Sequence, residues 1–276
     1  GSCKLHLFHT FIFDNKKFVD VSAWGTLDDI VFAALQKYNL NILYRYPWVY
    51  PALPAAEWEY LQNLFRIYVH NIILFLSSDA RLSQTTYPFV FQCMTGCNLY
   101  ANGSYTKFYH LAYNAHDFLS FNVDNSLWER QQESELAAEV ERQFNTYTGF
   151  SGTLQHILNV TCVDHMKKFI EYGKAVLKRE ELPVATVFAR MLSPAQLLLV
   201  CRVTGFYPQP INVVWLRDGQ EVLPGQALNT SPILPNTDLT YQLRVTLAVD
   251  PHDGHNYACR VHHRSLGSRI LLISWG

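Results

Sequence analysis

Between Trp58 and Phe75 apolar residues return every three or four positions, and Trp58, Leu61, Phe65, Tyr68, Ile72 and Phe75 make one continuous face. That spacing predicts a helix running from Pro54, a residue suited to a first helical turn, to about Arg81. Ahead of it, residues 4 to 50 are rich in Phe, Ile, Val, Tyr and Trp and are broken at Asp14-Asn15-Lys16-Lys17 and Trp24-Gly25. This reads as short antiparallel strands joined by turns. The order then repeats: residues 87 to 128 are strand-like, with turn signals at Asn102-Gly103 and Asn114-Ala115, and helical spacing returns from about Glu133 to Glu181. Gly149 and Gly152 are expected to bend or break this second helix, because glycine costs about 1 kcal/mol in a helix interior. Two strand-then-helix halves can merge into one antiparallel sheet with both helices across one face and a cleft between them.

Cys162 sits in the second helix, and where it faces the sheet it can bridge to Cys97 on a strand beneath, clamping one cleft wall to the floor. Side chains alternate across a strand, so Phe91, Cys93, Thr95 and Leu99 then share the cleft face of Cys97. Helical steps back from Cys162 bring Leu158, Leu154, Phe150, Tyr147, Phe144 and Val140 to the inward side. Leu111 and Phe118, on the strands that follow, complete the expected floor. The path is almost entirely apolar. After Pro183 the pattern changes: Cys201 and Cys259 bracket Trp215, and Tyr257 stands two residues before the second cysteine. That is the signature of an immunoglobulin sandwich, in which a cross-sheet disulfide packs on an indole and a tyrosine hydroxyl ties the corner. The expected class is α+β: residues 1–182 form a cleft-bearing domain in two halves, about 1–86 and 87–182, and residues 183–276 form an all-β sandwich.

The chain is 49% hydrophobic and 14% aromatic, which is rich enough that part of the apolar surface is expected to serve a ligand as well as the core. Its net charge of -1, with both signs dispersed, disfavours a nucleic-acid backbone or an anionic membrane surface as partner. Six cysteines point to an oxidising compartment. The sequons Asn102-Gly-Ser, Asn159-Val-Thr and Asn229-Thr-Ser agree with a secreted or lumenal chain. Gly1-Ser2 reads as a remnant placed ahead of the natural chain, no apolar run reaches the length of a membrane span, and a native anchor is expected beyond Trp275. Catalysis is not expected. Gly149-Phe-Ser151-Gly152 departs from a hydrolase elbow, since its second glycine comes one position early and no strand precedes it. Cys93 and Cys97 share one strand face and do not read as a metal site, so neither metal nor cofactor is expected; Cys3, near the start, is read as free. His252, His255, His262 and His263 cluster in sequence and support a minor reading as a pH-dependent receptor.

Several stretches resemble the MHC class I-like proteins and, within them, the lipid-presenting cluster-of-differentiation-one family, over essentially the whole chain. Cys201-Arg-Val-Thr-Gly205-Phe-Tyr-Pro208, Trp215 and Tyr257-Ala-Cys259-Arg-Val-His-His263 are shared with class I heavy chains generally. Trp58-Glu-Tyr-Leu-Gln-Asn-Leu-Phe-Arg66-Ile-Tyr68, Tyr87-Pro88 leading to Gly96-Cys97, Asn159-Val-Thr-Cys162 and Ile233-Leu-Pro-Asn236-Thr-Asp238 are similar to the lipid-presenting branch. The resemblance implies a class I-like groove domain followed by a C-type immunoglobulin domain, a beta-2-microglobulin light chain, a bound lipid, and display to T-cell receptors at the cell surface and endosomal membrane. By comparison with the family, Leu5, Leu7, His9 and Phe11 join the floor.

Peptide presenters hold peptide termini with buried tyrosine hydroxyls, and at two of the matching positions this chain has Ile157 and Phe169. A charged peptide terminus would there go unpaired, at a high cost, whereas an acyl chain needs no such partner. Where some lipid presenters hydrogen-bond a sugar, this chain has Phe75, Tyr147 and Phe150, so a simple lipid or a loosely held headgroup is expected. Ile72-Ile-Leu-Phe-Leu76 makes the first helix apolar on more than one face and predicts a covered groove or a rim closed against the other helix. The rival readings are a peptide presenter and a groove-closed receptor resembling the neonatal immunoglobulin receptor.

Overall fold

A computed structural model describes residues 2–15, 18–28, 30–78 and 86–275. The chain divides into two units, Gly1–Leu177 and Lys178–Gly276. The first opens with strands β1 (Cys3–Asn15), β2 (Phe18–Leu27), β3 (Ile30–Leu35) and β4 (Ile42–Tyr44), then a 3-10 turn at Tyr50–Ala52 and helix α1 (Ala55–Ser78). It continues with β5 (Phe89–Leu99), β6 (Tyr105–Tyr113), β7 (His116–Asn122) and β8 (Leu127–Arg130). Four helical pieces follow: α2 (Glu135–Thr146), α3 (Thr148–His156), α4 (Cys162–Tyr172) and α5 (Lys174–Leu177). All eight strands join one antiparallel sheet in the order β4-β3-β2-β1-β5-β6-β7-β8, so the two halves meet along the β1–β5 pairing. Lys16 and Lys17 of the predicted turn, and the predicted helix end near Arg81, lie outside the described residues.

Local chemistry accounts for the helix starts. The carbonyl of Pro54 accepts from the amides of Glu57 and Trp58 at 2.9 and 3.2 Å, closing the first turn of α1. Ser134 caps α2 by accepting from the Ala137 amide at 3.1 Å, with Glu135 in the first turn beside the positive end of the helix dipole. The long second helix does break, but not at the glycines. The break falls at Tyr147, whose ψ of 69° leaves the helical region, while Gly149 and Gly152 lie inside α3. Asn145 is the local cause: its side chain accepts from the Trp128 amide at 2.8 Å and donates to the Trp128 carbonyl at 3.0 Å, so the end of α2 is tied to β8. A π-helical turn, Ile157–Thr161, then re-phases the chain ahead of Cys162. Helical structure ends at Leu177, short of the predicted Glu181.

The second unit comprises β9 (Val184–Ser193), β10 (Gln196–Phe206), β11 (Asn212–Arg217), β12 (Gln220–Glu221), β13 (Leu228–Thr230), β14 (Leu234–Pro235), β15 (Tyr241–Val249), β16 (Tyr257–His262) and β17 (Leu271–Trp275). These form one sheet ordered β13-β15-β10-β9, with β14 on β15, and a second ordered β12-β11-β16-β17. Cys201 and Cys259 are bonded across the sheets. Trp215 is fully buried and donates through its indole N–H to the Val245 carbonyl at 3.0 Å, and the Tyr257 hydroxyl donates to Asp253 at 2.7 Å. The corner tyrosine is thus anchored by a carboxylate.

Candidate functional site

A cavity of about 880 Å³ opens inside the first unit between α1 and the α3–α4 segment, above the β1–β4 half of the sheet. Cross-strand pairing arranges its floor in rows. One row runs Ala33, Gly25, Leu7, Thr95 and Tyr109 from β3 to β6; the next begins Ala23, His9 and Cys93. Space exists here because Ala23 on β2 and Ala33 on β3 are small. A methyl group at Gly25 would lie only 3.0 Å from Phe32 and 3.1 Å from Leu7, so the bare backbone is what lets those two side chains approach.

Of the residues expected to line a groove, Leu5, Leu7, His9, Leu61, Phe65, Tyr68, Ile72, Phe75, Thr95, Phe144, Tyr147, Phe150, Leu154, Ile157 and Leu158 all border this cavity. Phe91, Cys93, Leu111 and Phe118 do not. They belong to a packed cluster with Phe11, Phe13, Phe89, Phe121, Trp128 and Phe144 that fills the other half of the sheet. Phe91 meets Phe118 edge-on at 5.6 Å and Tyr113 at 5.1 Å, and the void beside Phe91 and Leu111 measures about 10 Å³. Interlocked rings leave no room for a ligand chain, since interiors pack to crystal density. The groove is therefore one-sided. Ala23, Gly25, Phe32, Ala33 and Ile42, which sequence reading passed over, supply its deeper wall. The signal that could have found some of them is the pair of small residues at a two-residue interval, Ala23 and Gly25, on a strand face that otherwise carries Val19, Val21 and Leu27.

Both ends are pinned. At one, Phe75 meets Phe144 across the helices at 5.0 Å, and Tyr68 stacks on Phe150 at 6.4 Å. At the other, Trp58 stacks on Phe169 at 5.9 Å, and the Glu57 carboxylate accepts from His165 at 2.6 Å and from Lys168 at 3.3 Å. The hydrogen bond from His165, followed by that from Lys168, holds the Glu57 carboxyl below its ordinary range. Between these closures the rim is apolar, with Ile67, Leu74 and Tyr147 exposed. The free thiols of Cys3 and Cys93 are buried, and burial first of all pushes both up to about 12, so neither is a reactive thiolate.

The polar groups inside the groove mostly satisfy one another. Tyr68 and Tyr109 share a hydroxyl hydrogen bond of 2.7 Å, with the Cys93 thiol bonded to both, and burial raises both phenols well above their ordinary value. Thr95 donates to the Phe108 carbonyl at 3.0 Å. His9 differs: it is 5% exposed, its ring abuts Phe65 and Tyr68 at 4.8 and 5.4 Å, and among the described residues neither of its nitrogens has a partner. Burial lowers its pKa to about 3, so it is neutral in the folded chain at every physiological pH. The unfolded state, with a histidine pKa near 6.5, binds the extra proton at acid pH, so stability falls as pH drops from about 6.5 toward 3. Between pH 7 and pH 5 this amounts to about 2 kcal/mol. His9→Gln is expected to remove that increment, and urea unfolding of both proteins at the two pH values measures it.

The sequons are placed differently. Asn102 lies exposed in the β5–β6 turn and Asn229 is exposed on β13, whereas Asn159 sits half-buried in the π-helical turn and accepts from Lys107 at 3.0 Å.

Comparison with known proteins bears on the whole chain. Residues 2–176 match an MHC-I family domain and residues 186–266 an immunoglobulin C1-set domain. Antigen-presenting glycoprotein CD1d of Sylvilagus floridanus is 31% identical over 264 residues, which cover 95% of this chain and 94% of that protein. The crystal structure of chicken CD1-1 superposes with a TM-score of 0.93 at 44% identity and full coverage of both chains. A structure of chicken CD1-2 with bound fatty acid gives 0.91 at 38% identity, covering 99% of this chain and 98% of that one. With both of its domains matched and its length spanned by such relatives, the chain belongs to the CD1 family of MHC class I-like proteins.

Proposed function

We propose that this chain is a lipid-presenting glycoprotein whose one-sided groove holds acyl chains and whose helix tops, with any exposed headgroup, face T-cell receptors. The observation that carries the reading is the cavity of about 880 Å³, walled by apolar side chains and closed at both ends by aromatic pairs. Its size falls in the range of ligand sites, about 300–1,000 Å³. Each methylene buried contributes about 0.8 kcal/mol, so a chain of roughly a dozen carbons is held without any polar anchor. A peptide would need partners for its termini, and Ile157 and Phe169 offer none. The fatty acid named in the chicken CD1-2 structure is a ligand of the class this groove fits.

In this reading the chain acts as a binding protein with no catalytic role and takes no cofactor beyond its lipid. A beta-2-microglobulin light chain is its noncovalent partner. Asn102 and Asn229 carry glycans, their exposed settings suiting an acceptor better than that of Asn159. The protein works at the cell surface and in endosomes, tethered by a membrane anchor. No helix among the described residues is long and apolar enough to cross a membrane.

The test is organic extraction and mass spectrometry of the protein purified with its light chain, with acid elution run alongside. Near-stoichiometric fatty acid or phospholipid is expected. Eluted peptides, or neither class of ligand, would overturn the reading.

A further inference from the structure

Tyr68, Ile72 and Phe144 border two spaces at once: the groove on one side and, on the other, the void of about 10 Å³ that they enclose with Phe11, Phe91, Leu111 and their neighbours. These three side chains form a partition inside the first unit. Tyr68 has its hydroxyl bonded to Tyr109, and Ile72 is half-buried on α1. Phe144, near the end of α2, is 5% exposed, and its ring has three aromatic neighbours, Trp128 at 4.9 Å, Phe75 at 5.0 Å and Phe150 at 5.9 Å. The backbone beside it is fixed as well, because Asn145 is bonded to both the amide and the carbonyl of Trp128. A ring held this closely does not swing aside for a ligand.

We propose that Phe144 limits the length of acyl chain that the groove accepts, by barring the chain from the packed half of the sheet. This rests on the lipid-groove reading above. Apolar contact by itself sets no length, since each methylene buried raises affinity about fourfold for as long as there is room for it. A limit comes only from a wall. The two closed ends differ in what stands behind them. At the Trp58–Phe169 end the Glu57 carboxylate is bonded to His165 and Lys168, so a chain pressing there meets a polar clasp. Behind Phe144 lie the void and the aromatic cluster, so the ring itself is the stop. Removing it joins the void to the groove and adds room for about four methylenes, roughly what a phenyl ring displaces. An apolar cavity of this kind stays dry and takes up an apolar guest. The packed half is thus a compartment that one side chain keeps out of use.

The experiment takes the protein, paired with its light chain, through a series of saturated fatty acids from lauric to lignoceric, each competing against a fluorescent fatty acid. In the unmodified protein affinity is expected to rise about fourfold per methylene and then to level at one chain length. Phe144→Ala moves that length up by about four carbons, so the longest acid gains about a hundredfold over its affinity for the unmodified protein, and Phe144→Leu moves it by about two. Leu111→Ala enlarges the void from its far side but leaves Tyr68, Ile72 and Phe144 in place, and does not move it. Affinity that rises without levelling in the unmodified protein would overturn the proposal without recourse to any variant. So would an unmoved length in whichever of the Phe144→Ala and Phe144→Leu proteins melts cooperatively, or an equal movement in Leu111→Ala. Failure of the unmodified protein to bind any acid of the series would instead sink the groove reading itself, and the proposal with it.

Discussion

Ala33→Phe is expected to lower the lipid retained by the groove about a hundredfold, while Leu111→Ala leaves lipid content unchanged and lowers stability. Ala33 stands on the row that runs through Gly25 and Leu7, where small side chains create the open volume. A phenyl ring there occupies space an acyl chain would use. Displacing roughly four methylenes costs about 3 kcal/mol of binding, or two powers of ten in affinity. Leu111 is buried in the aromatic cluster on the filled side and does not border the groove, so its truncation creates a void among Phe11, Phe91 and Phe144. The expected cost is about 2–5 kcal/mol of folding stability. Lipid extracted per mole of protein, together with a thermal melt, reads both outcomes; equal lipid loss in the two variants would mean that the ligand lies on the Leu111 side.

The second large effect concerns the bond between Cys97 and Cys162, which are 65 residues apart. Replacing both cysteines by alanine is expected to cost about 4 kcal/mol, as the closed loop no longer restricts the unfolded chain. For a unit of this size each kcal/mol moves the melting temperature by about 2–4 °C, so a fall of about 8–16 °C follows. The loss has a direction in space as well. Cys162 begins α4, the helix that carries His165, Met166 and Phe169 to the groove end at Trp58 and Glu57. Freed from β5, α4 is expected to gain amide exchange before α1 does, and lipid should leave by that end. An unaltered melt, or uniform exchange across both helices, would remove the disulfide from this role. Cys93→Ala is the control: its thiol is in no disulfide, so only its packing and its hydrogen bonds with Tyr68 and Tyr109 are lost.

The sequence alone determined whatever depends on local repetition or on chemistry with one outcome. The three-to-four spacing from Trp58 to Phe75 required an amphipathic helix, the alternation from Phe91 to Leu99 required a strand, and two such halves required one sheet beneath paired helices. Cys201, Trp215, Tyr257 and Cys259 required a sandwich, because a cross-sheet disulfide packed on an indole admits few other arrangements. Which helix faces turn inward was legible for the same reason, and the inward residues of α1 and α3 do border the cavity.

Tertiary structure alone decided where the space lies. Phe91, Cys93, Leu111 and Phe118 point to the same side of the sheet as Leu7 and Thr95, and alternation cannot tell an open floor from a filled one. The difference comes from partners remote in sequence: Trp128 and Phe144 descend on that half and close it, whereas Ala23, Gly25 and Ala33 leave the other half open. The helix break at Tyr147 was hidden likewise, because its cause is a bond from Asn145 to the distant strand of Trp128. So was the isolation of His9. A histidine is ordinary in sequence, and only the packing of Phe65, Tyr68 and the neighbouring strands shows that nothing among the described residues partners its nitrogens. Periodicity specifies which side of an element is apolar; volume and unmet hydrogen bonds are properties of the assembled interior, where each side chain's room is set by residues that the local pattern does not contain.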